Sequence, residues 1–257
     1  MIEPVHIHVP YQSLQEYYNF IRTGRYDLEI YMSAQVLDQL EISEIESLAG
    51  ALDWKPALTL HGPFLDMNPG SIDPLIRSVT QNRFRQLLNV ATILRPRVAV
   101  FHAAYDSWRY NGQQESWFEN SVNTWRSVMD VASNIGLRVA IENIFEENPD
   151  ALHELIEKVG HKNFGFCFDT GHFNLFSRVS MERWFESLGE RLLEVHLHDN
   201  DGTADAHWAI GRGAIDFYKF FNLLRKNNLF PILTVEAHHK DDVESSLHQV
   251  KEFIKTR

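Results

Sequence analysis

The sequence predicts an α/β fold of the (β/α)8 barrel kind, and three observations carry that prediction. Eight short runs rich in β-branched and aromatic residues alternate with longer stretches whose apolar residues recur at three- and four-residue spacing. The length, 257 residues, suits one such barrel. Six of the runs end in a metal-ligand type of residue: LTLHGPF, VAVFHAAY, VAIENIF, FCFDTGHF, LEVHLHD and LTVEAHH. A strand core seldom tolerates an acid without a partner, whereas barrels gather their functional groups at the C-terminal ends of strands. An open doubly wound sheet would need a glycine-rich phosphate loop after an early strand, and none is present.

In chain order, strands are expected near 5–9, 28–32, 57–61, 98–102, 137–142, 164–169, 192–197 and 231–236. Helices are expected at 11–23, 43–53, 74–94, 115–135, 149–159, 180–190, 216–227 and 241–255. Asp73-Pro74 and Asn148-Pro149 read as helix starts, because the first turn has no use for the N–H that proline lacks. Gly136, Gly160 and Gly189 read as helix stops. No Ser/Gly/Pro-rich linker divides the chain, so residues 1–257 are expected to form a single domain. Alternation along the strands assigns their faces. If Glu142 points inward, so does Ala140; Asp169 takes Cys167 and Gly165 with it, His196 takes Glu194 and His198, and Glu236 takes Thr234. The opposite set, Val139, Ile141, Phe166, Phe168, Val195, Leu197, Leu233 and Val235, is bulky and apolar, as a wall covered by helices requires.

A hydrophobic fraction of 44% is enough for a substantial core. The first residues, MIEPVHIHVPY, lack a basic and then apolar leader, no run approaches a membrane span, and the single Cys167 precludes an internal disulfide. These features point to a cytoplasmic protein with no membrane partner. The net charge of −11 disfavours broad nucleic-acid binding, although divalent ions would cancel the acids locally. Nothing in the chain speaks against a homo-oligomer.

The nine ligand-type residues in order are His61, His102, Glu142, Asp169, His172, His196, Asp205, His207 and Glu236. Imidazole and carboxylate together suit a divalent metal. With FDTGH, HLHDNDG and AHWAIGRGAIDF, this series resembles the xylose isomerase-like TIM barrel superfamily, which includes sugar isomerases and epimerases and endonuclease IV. The resemblance runs from the third strand to the eighth. The sugar branch implies one ion held by Glu142, Asp169, His196 and Glu236, with Glu142 and Glu236 also moving the substrate proton and His172 touching substrate. The reaction would be isomerisation or epimerisation of a sugar or sugar phosphate through an enediolate. The endonuclease IV branch, which acts on abasic DNA, implies three zinc ions: His61, His102 and Glu142 for the first; Glu142, Asp169, His196 and Glu236 for the second; His172, Asp205 and His207 for the third. In that branch HGPFLDMN resembles a loop that sets Phe64 and Leu65 against DNA. The stretch after His196 is shorter than that branch's loop, its GEG-type stretch reads GRG at Gly211 to Gly213, and no basic groove is evident.

The expectation is therefore a divalent-metal enzyme, using one to three ions of zinc, manganese, magnesium or cobalt on a small sugar, with a trinuclear-zinc phosphodiesterase as the alternative. Each residue also has a plainer reading. His61, His102 and His207 could bind substrate hydroxyls around one ion, and Asp205 could cap a loop. His198 is expected to support a ligand or touch substrate, as are His238 and His239. Arg212 is expected to bind a substrate anion, the alternative being a solvated loop charge. His8, Phe64, Trp108 and Trp208 are candidates for the pocket wall, and Cys167 for packing. A barrel that binds without turnover is the non-enzymatic reading; the intact acids argue against it.

Overall fold

The structure is a computed structural model that describes residues 5–255. Eight parallel strands close into a barrel in sequence order: β1 (Val5–Pro10), β2 (Asp27–Tyr31), β3 (Leu58–His61), β4 (Val98–His102), β5 (Arg138–Glu142), β6 (Phe164–Asp169), β7 (Leu192–Leu197) and β8 (Ile232–Val235). Around them lie α1 (Leu14–Gly24), α2 (Ala34–Gln39), α3 (Ile42–Ala51), α4 (Pro74–Leu94), α5 (Gln114–Asn134), α6 (Asp150–Val159), α7 (Thr170–Phe176), α8 (Met181–Leu188), α9 (Phe217–Lys226) and α10 (Lys240–Lys255).

The caps follow the sequence, with exceptions. Asp73 caps α4 by accepting from the Leu75 N–H, and Pro74 opens the helix. Pro149 instead occupies the cap position before Asp150. Gly160 ends α6 at φ 69°, in the left-handed region that favours glycine. Gly189 does not behave this way: its φ of −57° is right-handed, and the chain continues into a 3-10 turn, Gly189–Arg191. Residues 11–13 likewise form a 3-10 turn before α1, and the short helices α2 and α7 were not evident from periodicity.

The parity argument holds. Val139, Ile141, Phe166, Phe168, Val195, Leu197, Leu233 and Val235 pack with the helices in one large core, joined by Phe84, Trp125 and Phe220. Inside the barrel a small separate cluster unites Val98, Val100, Ala140, Cys167 and Ile232. Beside it the interior is polar. The Thr59 hydroxyl donates across the barrel to Glu194 at 3.0 Å, and Thr234 donates to the same Oε1 at 2.5 Å. His6, Glu29, Thr59, Glu194 and Thr234 are all fully buried. A barrel interior is usually filled by branched apolar layers, so this polar tier indicates that something above it uses it. Among the described residues no helix is long and apolar enough to cross a membrane.

Candidate metal centre

All nine ligand-type residues meet at the C-terminal rim. Glu142, at the end of β5, is the hub: its Oε2 lies 3.1 Å from His61 Nε2, 3.1 Å from His102 Nε2 and 3.4 Å from His196 Nδ1. Its Oε1 lies 3.1 Å from His172 Nδ1. His196 Nδ1 is also 3.1 Å from Glu236 Oε2 and 3.9 Å from Asp169 Oδ2. On the far side, Asp205 Oδ2 stands 3.3 Å from His172 Nε2 and 3.1 Å from His207 Nε2. His198 joins them, with Nε2 3.0 Å from Asp169 Oδ2 and Nδ1 3.9 Å from Asp205 Oδ1. Ligands around a tetrahedral ion at ~2.1 Å stand roughly 3.4 Å apart, close to these separations.

The local chain explains the aim of each ring. His61 Nδ1 donates to the Gly62 carbonyl, His172 Nδ1 to the Asn143 carbonyl and His207 Nδ1 to the Glu236 carbonyl, at 2.9, 3.0 and 2.8 Å. Each bond leaves Nε2 facing the acids, the arrangement that fixes a metal-ligand tautomer. Asn143 also clamps Asp169, exchanging a side-chain donor and acceptor with its backbone. Asp169 Oδ1 caps α7 through the His172 N–H, so one carboxylate shapes the helix that carries the next donor. His207 is held at φ 46°, in the left-handed region that a non-glycine residue adopts only at a cost. Its loop is pinned by paired backbone bonds between Asp199 and Trp208. The buried Asp199 carboxylate accepts from the N–H groups of Gly211, Gly213 and Ile215, so the GRG stretch is a backbone clamp.

Charge follows geometry. Burial alone would lower His61, but the hydrogen bond with Glu142 and the charges of Glu29 and Glu142 lift it to about 9. Burial also opposes His207, which Asp205 and Glu236 raise to about 9. Against a strong burial cost, the surrounding imidazoles hold Glu142 and Glu236 well below the usual carboxylate range. Burial and the neighbouring His207 push His238 down to about 4; it stacks on His207 at 4.0 Å, as His198 does at 3.9 Å. His196 Nδ1, His198 Nδ1 and Glu236 Oε2 are buried with no hydrogen-bond partner. Orphaned atoms facing anionic and imidazole neighbours fit a divalent cation, which would satisfy them together. The donors fall into overlapping sets whose ligand atoms lie within 4.8 Å: His61, His102 and Glu142; Glu142, Asp169 and His196; Asp169, His172 and His198; His198, Asp205 and His207.

Beside the donors opens a cavity of about 530 Å³, lined by Glu236, His207, Asp205, His61, Phe64 and His238. Its outer wall is apolar, from Val9, Pro10, Tyr17, Phe20 and Val243. Phe64 stacks on His102 at 4.8 Å. His8 and His239 line the cavity, whereas His172 and His198 do not. Arg212 is also outside its lining: the guanidinium lies 5.0 Å over Trp208 and 3.8 Å from Asp242. Trp108 stands 87% exposed rather than walling the cavity. Sequence reasoning passed over Glu29 and Tyr31. Glu29 Oε2 lies 3.3 Å from His196 Nε2 and its Oε1 2.9 Å from His8 Nδ1; Tyr31 meets His61 and Phe64. An acid inside the apolar run DLEIY was the available signal.

Comparison with known proteins agrees with this architecture. A protein of Methanocaldococcus jannaschii named only as uncharacterized is 26% identical over 204 residues, 77% of this chain and 70% of the relative. A solved structure of a Thermus thermophilus protein soaked with zinc chloride superposes with a TM-score of 0.85 at 26% identity, over 99% of each chain. A D-tagatose 3-epimerase-like protein gives 0.86 at 24% identity, over 98% of this chain and 97% of that one. Residues 20–257 match the family described as Xylose isomerase-like TIM barrel. With the closed barrel and the match over those residues, this chain belongs to the xylose isomerase-like TIM barrel family.

Proposed function

We propose that the protein is a divalent-metal-dependent isomerase or epimerase of a sugar or sugar phosphate. The observation that carries the reading is the convergence of Glu142 and Glu236 on one nitrogen, His196 Nδ1, beside a cavity. A cavity of about 530 Å³ suits a small molecule rather than a duplex. A divalent ion at Glu142, Asp169, His196 and Glu236 would act as a Lewis acid on a substrate carbonyl and acidify the adjoining C–H.

The two glutamates differ in freedom. Glu142 is walled in by four imidazoles and is absent from the cavity lining, which suits holding an ion. Glu236 lines the cavity, so it is the carboxylate placed to take a carbon-bound proton. Return of that proton by Glu236 to the neighbouring carbon, with a hydroxyl proton passing between the two substrate oxygens, would isomerise; epimerisation would need a second acid to deliver a different proton to the opposite face of the same carbon. His238, neutral above about 4, is placed to accept from a substrate hydroxyl, and Phe64 offers an aromatic face.

The test is proton exchange. Protein loaded with zinc or manganese is incubated in D₂O with a panel of ketoses and their phosphates, and NMR follows C–H loss. Glu236→Gln should lower exchange by roughly 10³-fold or more, because a base and a ligand go together. One observation favours a second reading, a trinuclear-zinc phosphodiesterase on abasic DNA: the set His61, His102 and Glu142 converges, and Asp205 and His207 converge with His198 where the resemblance implied His172. Cleavage of an abasic-site duplex that is lost in Glu142→Gln, with no sugar turned over, would replace the first reading by the second.

A further inference from the structure

His61, His172 and His207 each tie one ring nitrogen, Nδ1, to a backbone carbonyl. His196 does not. Its Nδ1 faces Glu142 and Glu236, while its Nε2 faces a side chain, Glu29 Oε2, at 3.3 Å. A carbonyl is positioned by folding alone and carries no formal charge. A carboxylate does more: it fixes the tautomer, and it raises the electron density that the imidazole offers on its other side.

Glu29 is unusual in its own right. It sits mid-strand on β2, fully buried, with Leu28 and Ile30 turned into the core on either side. Its second oxygen accepts from His8 Nδ1 at 2.9 Å, across the β1–β2 register where His8 and Glu29 are direct partners. His8 in turn lines the cavity and lies 3.7 Å from Glu236 Oε1. One buried carboxylate thus braces two imidazoles that serve the two ends of the site: the ion donors and Glu236.

We propose that Glu29 is the positioning residue of the metal centre, holding His196 as the Nε2–H tautomer so that Nδ1 is the ligand atom. In this assignment Glu29 acts through His196 and is not itself a ligand; Glu29, Glu194 and His196 also lie within 4.8 Å of one another, and an ion held there would bind through His196 Nε2 instead. The inference rests on the reading that these residues hold a divalent ion, and deepens it by naming the residue that sets the ligand's strength. Glu194, the other buried acid of the tier, is engaged by Thr59 and Thr234 instead.

The test uses zinc alone, in competition with a chromophoric chelator, on the wild type and on Glu29→Gln, with cobalt(II) absorption as the report of ligand field. The amide introduced by Glu29→Gln has a single oxygen and can accept from only one of the two imidazoles, so zinc affinity should fall about 10–100-fold. The cobalt spectrum should shift, while the circular dichroism of the metal-free variant stays unchanged. A merely structural carboxylate would lower the melting temperature and leave affinity and spectrum as they were, and that result overturns the proposal. NMR of the wild type labelled with ¹⁵N-histidine and loaded with ¹¹³Cd needs no variant to fold. Cadmium coupling to His196 Nδ1 and a protonated Nε2 are expected; coupling through Nε2 overturns the assignment. A wild type that binds no zinc refutes the metal reading itself, whereas one that binds zinc as its Glu29→Gln variant does refutes only the role of Glu29.

Discussion

His61 and His207 are each lifted to about 9 by acids that an ion would share, which makes the metal-free protein sensitive to alkali. A histidine raised in the folded state contributes stability in full below its unfolded value, near 6.5, and loses it as pH climbs through about 9. Glu194, raised to about 8 by burial and Glu29, works in the same direction, because the folded state keeps a proton that the unfolded state releases. Glu29, lowered to about 2 against its burial by His196 and His8, works in the opposite sense but only as pH falls below about 4.5. The melting temperature of metal-free protein should therefore drop by about 5–10 °C between pH ~6.5 and ~9.5. The increment added by zinc should grow over the same interval, since the ion displaces those protons. A flat metal-free profile would mean that the cluster is not protonated as its geometry requires. The same residues show how far sequence reasoning reaches. His61, His102, Glu142, Asp169, His172, His196 and Glu236 were legible because each lies at or just beyond the end of an apolar run, and Asp205 and His207, deep in the loop after β7, through the family resemblance. Glu29 was not, because it lies within a run and its partner His196 is distant in sequence; Glu194 was placed inward by parity, but its partner Thr59 was out of reach for the same reason.

At the level of the element, every strand was legible from β-branched runs, and the eight longer helices from their apolar spacing. The two helices that escaped, α2 and α7, have six and seven residues, too few for a period to repeat. Helix α7 forms for a reason that a pattern does not contain: Asp169 caps it, and the turn must be tight enough to bring His172 back to Glu142. Gly171 within it is required by contact rather than by backbone angle, since a Cβ there would strike the imidazole of His198. Gly171→Ala should cost about 1–3 kcal/mol and disturb the cobalt spectrum, because His198 must move away from Asp169. Gly50→Ala in α3, where a Cβ meets nothing, should stabilise by about 0.5–1 kcal/mol. Equal melting temperatures for the two variants would show that the packing of His198 against α7 carries no weight. The Arg212 expectation fared differently, because a loop arginine's partner cannot be read from the chain: Asp242, on α10, is distant in sequence.

Taken whole, the molecule gathers acids and imidazoles into one rim, with the metal-free state relying on protonated histidines for neutrality. Chelation is therefore expected to lower its stability. Zinc at about a hundred times its dissociation constant should restore about 2.7 kcal/mol per ion, or roughly 5–10 °C. Differential scanning calorimetry with and without EDTA checks this, and identical transitions would argue that the cluster holds nothing. The number of ions that bind also separates the two functional readings, because the sugar chemistry needs one and the phosphodiester chemistry three. The fold class and the converging rim were accessible from sequence because both depend on a repeating pattern. The cavity was not, since its outer wall joins Tyr17 and Phe20 near one end of the chain to Val243 near the other.

That seam has a consequence for how the protein can change over generations. The six strands from β3 to β8, with the loops that follow them, supply all nine candidate donors, whereas β1, α1 and the start of α10 supply the apolar wall. A drift in Tyr17, Phe20 or Val243 would remodel what fits beside Glu236 without moving a single donor. On the proposed reading, substrate preference and metal binding would thus be inherited on largely separate stretches of one gene. On that reading, His8 on β1 and Glu29 on β2 would tie the two stretches together, since they meet each other and reach Glu236 and His196.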